Sequence, residues 1–444
     1  MKSDDVLLAA WQETLARRGD LPAIFDTRGA VARTFREIDA RAREIEARME
    51  QLAPGQVYPI QIGNDPDWPS MLLACLRRRL VALPLDDSIT GEQRKTALQV
   101  CRVRCLEDWG AHPPSLLKLT SGTTAEPRAI RFRSGQLLAD CTQICEAMGI
   151  TDRDLNFAVI PLSHSYGFSN LVTPLLVRGV PMVLSRDPMP RAVLDDLART
   201  NATVFAGMPV FYQAFSEMNE VPVLAQLRLC ISAGAPLPLA VAKKFRAKFE
   251  RSIHSFYGAS ECGGICYDRD ARLLEDNFVG QAMGGVELEL VEPDAVTSCV
   301  RVRSTAVGDG YFPEPDKVKL GGGRFMPDDL LTRGSDGLRL VGRVSDLINV
   351  AGKKVNPAEV EAELMRFPGV SAAVVFGRES SLRNEDVAAC IVGCAQVREA
   401  ELLEFCRHRL SGWQVPKRIF LVAEIPVNAR GKVSRRELAQ KFVL

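Results

Sequence analysis

The sequence has little that would hold a metal cluster, span a bilayer or draw a polyanion. Its four histidines are scattered singly, and none of its 12 cysteines lies in a Cys-x-x-Cys frame. The pairs Cys101/Cys105, Cys141/Cys145, Cys262/Cys266 and Cys390/Cys394 could each share a helical face, yet without a second ligand pair no zinc site is expected. These thiols read instead as small core residues in a reducing compartment. A net charge of +1 gives no global field, and Arg77-Arg78-Arg79 and Arg435-Arg436 are short solvated clusters, so nucleic acid is not an expected partner. The longest apolar stretch, Leu171 to Leu184, is interrupted by Arg178 and is too short for a membrane span. The acidic start Met1-Lys2-Ser3-Asp4-Asp5 is not a secretory signal, and a cytoplasmic protein is expected. No Gly-Lys-Ser/Thr triplet occurs, which excludes a Walker loop.

What is present begins with Leu117-Lys118-Leu119-Thr120-Ser121-Gly122-Thr123-Thr124-Ala125-Glu126-Pro127-Arg128. Gly122 lets backbone N–H groups approach phosphate oxygens. Thr120, Ser121, Thr123 and Thr124 add neutral donors, and Arg128 adds a planar charged one. Such a run suits a triphosphate clamp and implies ATP; taken alone, it also reads as a polar surface turn.

The 444 residues, 46% of them apolar, suggest two or three packed units. Ile38, Ala42, Ile45, Met49 and Leu52 predict an amphipathic helix over 34–52, stopped by Pro54-Gly55. A strand is expected at 57–62, a buried helix at 71–80 and a strand at 81–85. Apolar runs at 157–162, 180–184, 203–206 and 228–232 alternate with segments of helical length, the pattern of a mostly parallel sheet with helices on both faces. From about 279 alternating stretches such as Val286-Glu287-Leu288-Glu289-Leu290 predict antiparallel strands of a small barrel-like part. Asn356-Pro357-Ala358-Glu359 reads as an N-cap, a proline at the first helical position and a capping box. Strands at 371–376, 387–392 and 418–422 and a helix near 399–410 complete a small α+β domain. No internal repeat or low-complexity linker is visible.

Four collinear blocks resemble the adenylate-forming (AMP-binding) superfamily, closest in style to acyl- and aryl-CoA synthetases. They are the hydroxyl-rich loop, Phe256-Tyr257-Gly258-Ala259-Ser260-Glu261, the run from Asp329 to Glu361 with Gly342-Arg343-Val344-Ser345-Asp346, and Asn428-Ala429-Arg430-Gly431-Lys432. The resemblance implies an α/β fold: a large N-terminal adenylation domain, 1–342, of layered α/β sheets plus a small β-barrel part at about 279–342, and a small mobile α+β lid at 343–444. The region before the loop is shorter than in most relatives, so the first sheet subdomain is expected to be trimmed.

The resemblance also implies roles. Lys432 would bridge the substrate carboxylate and the α-phosphate during adenylation. Tyr257, with Gly258, would lie along adenine, Ser260 would contact phosphate and Glu261 would hold Mg²⁺, whose usual shell is a carboxylate with phosphate oxygens and water. Gly234-Ala235-Pro236 would flank adenine and the acid pocket. Asp329, with Asp328 as the alternative, and Arg343 would grip the ribose as acceptor and donor. Ser345 and Asp346 stand at the hinge, and Gly352 near the thiol path. The departures are Ala125, Arg128 and Ser345, where Gly, Lys and a charged residue are usual.

A carboxylate is a poor acyl donor, and attack on the α-phosphate of ATP converts its oxygen into a leaving group, AMP. The task is alignment and charge stabilisation. Between Leu155 and Arg186 there is no Asp or Glu to pair a substrate ammonium, which disfavours a free amino acid. Pro161-Leu162-Ser163-His164-Ser165-Tyr166-Gly167-Phe168 resembles the segment of acyl- and aryl-CoA ligases whose histidine, here His164, gates the carboxylate pocket. The expected activity is an acid–thiol ligase: ATP and Mg²⁺ as cofactors, a fatty or aryl acid as substrate, and CoA or the phosphopantetheine of a carrier protein as acceptor. An amino-acid adenylation domain and a non-catalytic nucleotide- or acyl-binding relative are the alternatives.

Overall fold

The computed structural model describes residues 5–103, 105–120, 128–273, 275–334, 336–380, 384–426 and 433–442. The architecture is α/β with several sheets and a separate small C-terminal unit. The larger unit comprises Met1–Val291, Val300–Pro327 and Arg333–Arg339; the smaller comprises Glu292–Cys299, Asp328–Thr332 and Leu340–Leu444.

Two sheets organise the larger unit. The first runs, in spatial order, Gly310–Phe312, Ala129–Phe132, Leu116–Leu119, Val81–Pro84, Val57–Ile60. Its last three strands are parallel, while Ala129–Phe132 is antiparallel to both of its neighbours. The Thr34 hydroxyl accepts from Glu37 N and the Glu37 carboxylate accepts from Thr34 N, a capping box that starts the helix Phe35–Ala47. That helix is shorter than its apolar period suggests. The residues up to Leu52 continue as turns closed by bonds three residues back, such as Leu52 N to Met49 O at 3.0 Å.

The second sheet has a parallel centre in the order Pro22–Phe25, Met182–Leu184, Asn156–Ala158, Val204–Gly207, Leu229–Ser232, Ile253–Ala259. Helices Pro190–Thr200, Pro209–Glu217 and Leu239–Phe249 connect its later strands, as the alternation of apolar runs predicts. Gly207 and Ser232, the last residues of their strands, finish at one edge in register with Ser255, beyond which Ile253–Ala259 continues past that edge. That edge is where open α/β sheets receive ligands. The alternating segment forms an antiparallel ladder from Val286↔Ser304 to Leu290↔Val300, with Phe325 and Arg324 on its other side.

In the smaller unit the strand Val370–Ser380 pairs antiparallel with Asn384–Gly393, which pairs in parallel with Arg418–Leu421. Helices Pro357–Leu364 and Glu399–Arg409 bury Val360, Leu364, Leu402 and Cys406 in a cluster with Val375, Ala389 and Ile391. Asn356 caps the first of these helices and Pro357 opens it. The expected capping box does not close: the Asn356 carboxamide accepts from Ala358 N at 3.1 Å, and the Glu359 carboxylate accepts instead from Gln414 Nε2 at 3.2 Å. Among the described residues no helix is long and apolar enough to cross a membrane.

Candidate active site

The loop of hydroxyls is described at its two ends. Thr120 leaves the strand Leu116–Leu119 and is held to Arg128 twice, Thr120 N and Oγ1 both donating to Arg128 O, at 2.8 and 3.1 Å. Arg128 extends over the Tyr311 ring, 4.6 Å from its centroid, and donates to Glu314 O at 2.9 Å. The antiparallel register Tyr311↔Ile130 and Phe312↔Ala129 brings these groups together. Ser121, Gly122, Thr123 and Thr124 lie outside the described residues.

Tyr257, Gly258, Ser260 and Glu261 occupy the end of Ile253–Ala259 and the turn into Gly263–Tyr267. The Tyr257 ring is buried. Gly258 is required by close approach, because a Cβ there would stand 2.6 Å from Gly263 O. Glu261 Oε1 accepts the Tyr311 phenol proton at 2.9 Å, and Glu261 O accepts from Gly308 N at 2.8 Å. Burial pushes the Tyr311 phenol up, and the neighbouring Glu261 charge pushes it further, so it stays a proton donor. Ser260 Oγ accepts from Ser165 Oγ at 2.9 Å.

That serine belongs to the segment headed by His164, which caps the short helix Ser165–Gly167; its Nδ1 accepts from Tyr166 N at 3.2 Å, and the residue is exposed. Tyr166 is buried, its hydroxyl donating to Gly207 O at 3.2 Å and Ile231 O at 3.3 Å, the ends of two parallel strands. Gly234, Ala235 and Pro236 follow the strand Leu229–Ser232 as an exposed turn, with Gly234 at φ +84°. Three blocks far apart in sequence therefore meet: the exit of the hydroxyl loop, the His164 segment and the Ser260–Glu261 turn. The Ser165–Ser260 bond joins the last two, Tyr311 joins the first and the last, and Tyr166 ties the His164 segment to two strand ends. Neither tyrosine is singled out by the sequence reading, although an aromatic after Gly310 beside two carboxylates, Glu314 and Asp316, was a usable signal.

In the smaller unit Asp329 is buried and receives Arg343 Nε on Oδ1 at 2.8 Å. Asp328 is exposed, and its carbonyl accepts from Val344 N at 2.7 Å. Ser345 and Asp346 form the single turn Val344–Asp346. The Arg435 guanidinium donates to Asp346 Oδ2 at 2.9 Å, to Glu361 Oε1 at 2.8 Å and to Val375 O at 2.9 Å, so this turn is fastened to a helix and a strand. Gly352 takes the positive φ of +85° in the tight turn between Ile348–Val350 and Lys353–Val355, its N–H donating to Asn349 Oδ1 at 3.0 Å. Lys432, with Asn428 and Gly431, lies outside the described residues.

Residues 11–107 and 107–312 match the AMP-binding enzyme family, and residues 359–432 match the AMP-binding enzyme C-terminal domain. The chain is 29% identical over 331 residues to a 3,4-dihydroxybenzoate–[aryl-carrier protein] ligase of Bacillus anthracis, covering 74% of each. It is 25% identical to an oxalate–CoA ligase of Arabidopsis thaliana, over 88% of this chain and 89% of that one. In structure it superposes on ATP-bound MatB from Rhodopseudomonas palustris with a TM-score of 0.86 at 22% identity, covering 97% and 98% of the two chains. The o-succinylbenzoate CoA synthetase of Bacillus subtilis with its acyl-adenylate gives 0.83 at 22% identity, covering 97% of each chain.

Proposed function

Because the chain belongs to the AMP-binding enzyme family, we propose that it activates a carboxylic acid with ATP and transfers the acyl group to a thiol. It is an AMP-forming acid–thiol ligase. One observation supports this reading above the others: the Ser165–Ser260 and Tyr311–Glu261 hydrogen bonds join the acid segment, the metal-binding turn and the loop exit into one cluster. The relatives are ligases of aryl and small carboxylic acids to CoA or to an aryl carrier protein, which supports the same chemistry.

In the first step a carboxylate oxygen attacks the α-phosphorus of ATP, the bond to the β-phosphate oxygen breaks, and pyrophosphate leaves. Thr120, Ser121, Gly122, Thr123, Thr124 and Arg128 would hold the departing phosphates by N–H, O–H and guanidinium donors. Tyr257, Gly258 and the Gly234-Ala235-Pro236 turn would bracket adenine, and Asp329 with Arg343 the ribose; the burial and ion pairing of Asp329 favour it over Asp328. A carboxylate with about four acceptor sites suits Mg²⁺ and can keep the Tyr311 bond as well. Glu261 would hold that ion, which neutralises charge on the phosphoryl oxygens. His164 would gate the acid, and Lys432 would bridge carboxylate and α-phosphate. In the second step the sulfur of CoA or phosphopantetheine attacks the acyl carbon and AMP leaves. Residues 343–444 would act as a lid pivoting at Ser345 or Asp346, with the thiol passing Gly352. Twelve thiols suit the reducing cytoplasm.

Acid-dependent ATP–pyrophosphate exchange across a panel of carboxylic acids tests the first step, and thiol consumption with CoA or a carrier protein tests the second. A folded protein that exchanges pyrophosphate with no acid would overturn the proposal.

A further inference from the structure

Lys118 places a cation in the interior of the larger unit, and among the described residues no oxygen accepts from its ammonium. Along Leu116–Leu119 the strand alternates, and Leu117 and Leu119 pack with Val81, Leu83, Trp109 and Ala129, so Lys118 projects from the opposite face. It is 6% exposed. Its Nζ lies 4.7 Å from the centroid of Phe132 and 5.2 Å from that of Phe168. Among the described residues it makes no hydrogen bond or ion pair. Two ring faces attract an ammonium but accept none of its three protons in the manner of an oxygen, so those protons are left for water or for an oxygen of a bound molecule.

The charged group that most offsets it is held by other bonds. Burial pushes its pKa down, with the Asp140 and Glu261 carboxylates as counterweights. Both oxygens of the buried Asp140 are already engaged, Oδ1 by Gly264 N at 3.0 Å and Oδ2 by Ser169 Oγ at 2.5 Å. Gly263, at φ +70°, permits this, since a Cβ there would stand 1.9 Å from Asp140 Oδ1. Asp140 is held in place by these two bonds and makes no ion pair with Lys118 among the described residues, so it offsets the lysine's charge at a distance. Phe168 and Ser169 directly follow the Ser165–Gly167 helix that His164 caps, and Cys262 follows Glu261.

Resting on the acid–thiol ligase reading above, we propose that Lys118 is a specificity-determining residue that donates to an oxygen on the tail of the acid. The substrate class is then a carboxylic acid carrying a hydroxyl, keto or second carboxylate oxygen remote from the activated carboxyl, in preference to a plain hydrocarbon acid. A hydrocarbon tail would cover the ammonium without accepting any of its protons, and a site built to bond a substrate oxygen rejects the analogue that lacks it. The Asp140 charge nearby favours a neutral oxygen over a second carboxylate.

The test is ATP–pyrophosphate exchange on matched acids: benzoate against 3- and 4-hydroxybenzoate, and hexanoate against 6-hydroxyhexanoate and adipate. Wild type, Lys118→Met and Lys118→Gln are compared, and the readout is the ratio of kcat/KM within each pair, which a reduced folded fraction does not move. Wild type should favour an oxygenated member by about 10- to 100-fold, the range for a hydrogen bond to a charged group. Lys118→Met should bring that ratio close to one, and Lys118→Gln, which keeps a donor, should fall between; if the methionine variant does not fold, the glutamine variant carries the comparison. An unmoved ratio, or a wild-type preference for the unsubstituted acid in every pair, overturns the role of Lys118 while leaving the ligase reading intact. Exchange with no acid at all overturns the ligase reading and the proposal with it.

Discussion

Tyr311 donates its phenol proton to Glu261 across 50 residues of sequence, at 2.9 Å, while its ring carries the guanidinium of Arg128 at 4.6 Å. One side chain thereby orients the carboxylate assigned to Mg²⁺ and the cation assigned to phosphate. Tyr311→Phe removes the proton and keeps the ring. The expected result is about a tenfold lower kcat/KM for pyrophosphate exchange, with a higher Mg²⁺ concentration at half-saturation. A magnesium titration identical to that of wild type would show that Tyr311 does not position Glu261.

Lys432→Ala should lower acyl-adenylate formation by about 10²-fold or more, since a cation that bridges the reacting groups acts on the transition state. Nucleotide binding and transfer from preformed acyl-adenylate to the thiol should suffer much less. Rapid-quench measurement of the two half-reactions decides this, and an unchanged adenylation rate would remove Lys432 from its role.

Ser345→Pro restricts φ and removes an N–H within the turn Val344–Asp346, whose Asp346 is already pinned by Arg435. If the lid pivots here, thioester formation should fall by orders of magnitude while adenylation survives. Equal loss of both half-reactions in a folded variant, or loss of neither, would place the pivot elsewhere.

Asp39 predicts a pH-dependent stability. Burial alone would raise its pKa, but hydrogen bonds from Trp11 and Arg43 and the charge of Arg77 outweigh burial and hold the carboxyl below its ordinary value. A lowered folded-state pKa stabilises above the unfolded value, about 3.9, and that contribution disappears as pH falls through the folded value. Asp39→Asn should therefore cost about 3 kcal/mol at pH 7, where Arg77 would be left without its counter-charge. Urea denaturation should show the gap between variant and wild type narrowing below about pH 4.

Local signals carried most of the element assignments. The apolar period from Ile38 to Ile45, the Asn356-Pro357 start and the apolar runs near 204 and 229 each encode short-range backbone chemistry, and each forms the expected element. The helix Val6–Arg18 buries Trp11 and Leu7 but carries no clear period in the sequence, because its apolar residues are interrupted and only packing against distant segments selects its face. In the sequence Lys118 belongs to the block that ends in the hydroxyl loop. Its position between two leucines of a strand is visible there, but the aromatic faces and the bonds that hold Asp140 are not.

The sequence by itself determined that four motif blocks follow one another in the order of the AMP-binding family, and that small residues and hydroxyls stand where a phosphate would need them. Composition and spacing sufficed, because such motifs are built from neighbours along the chain. The tertiary structure alone decided which of those blocks touch. The pairing of Gly310–Phe312 with Ala129–Phe132 sets Tyr311 beside Arg128, and the turn after Ile253–Ala259 sets Ser260 against Ser165. Strand order and register fix these contacts, and they follow from the packing of whole sheets rather than from any local preference of the residues that meet.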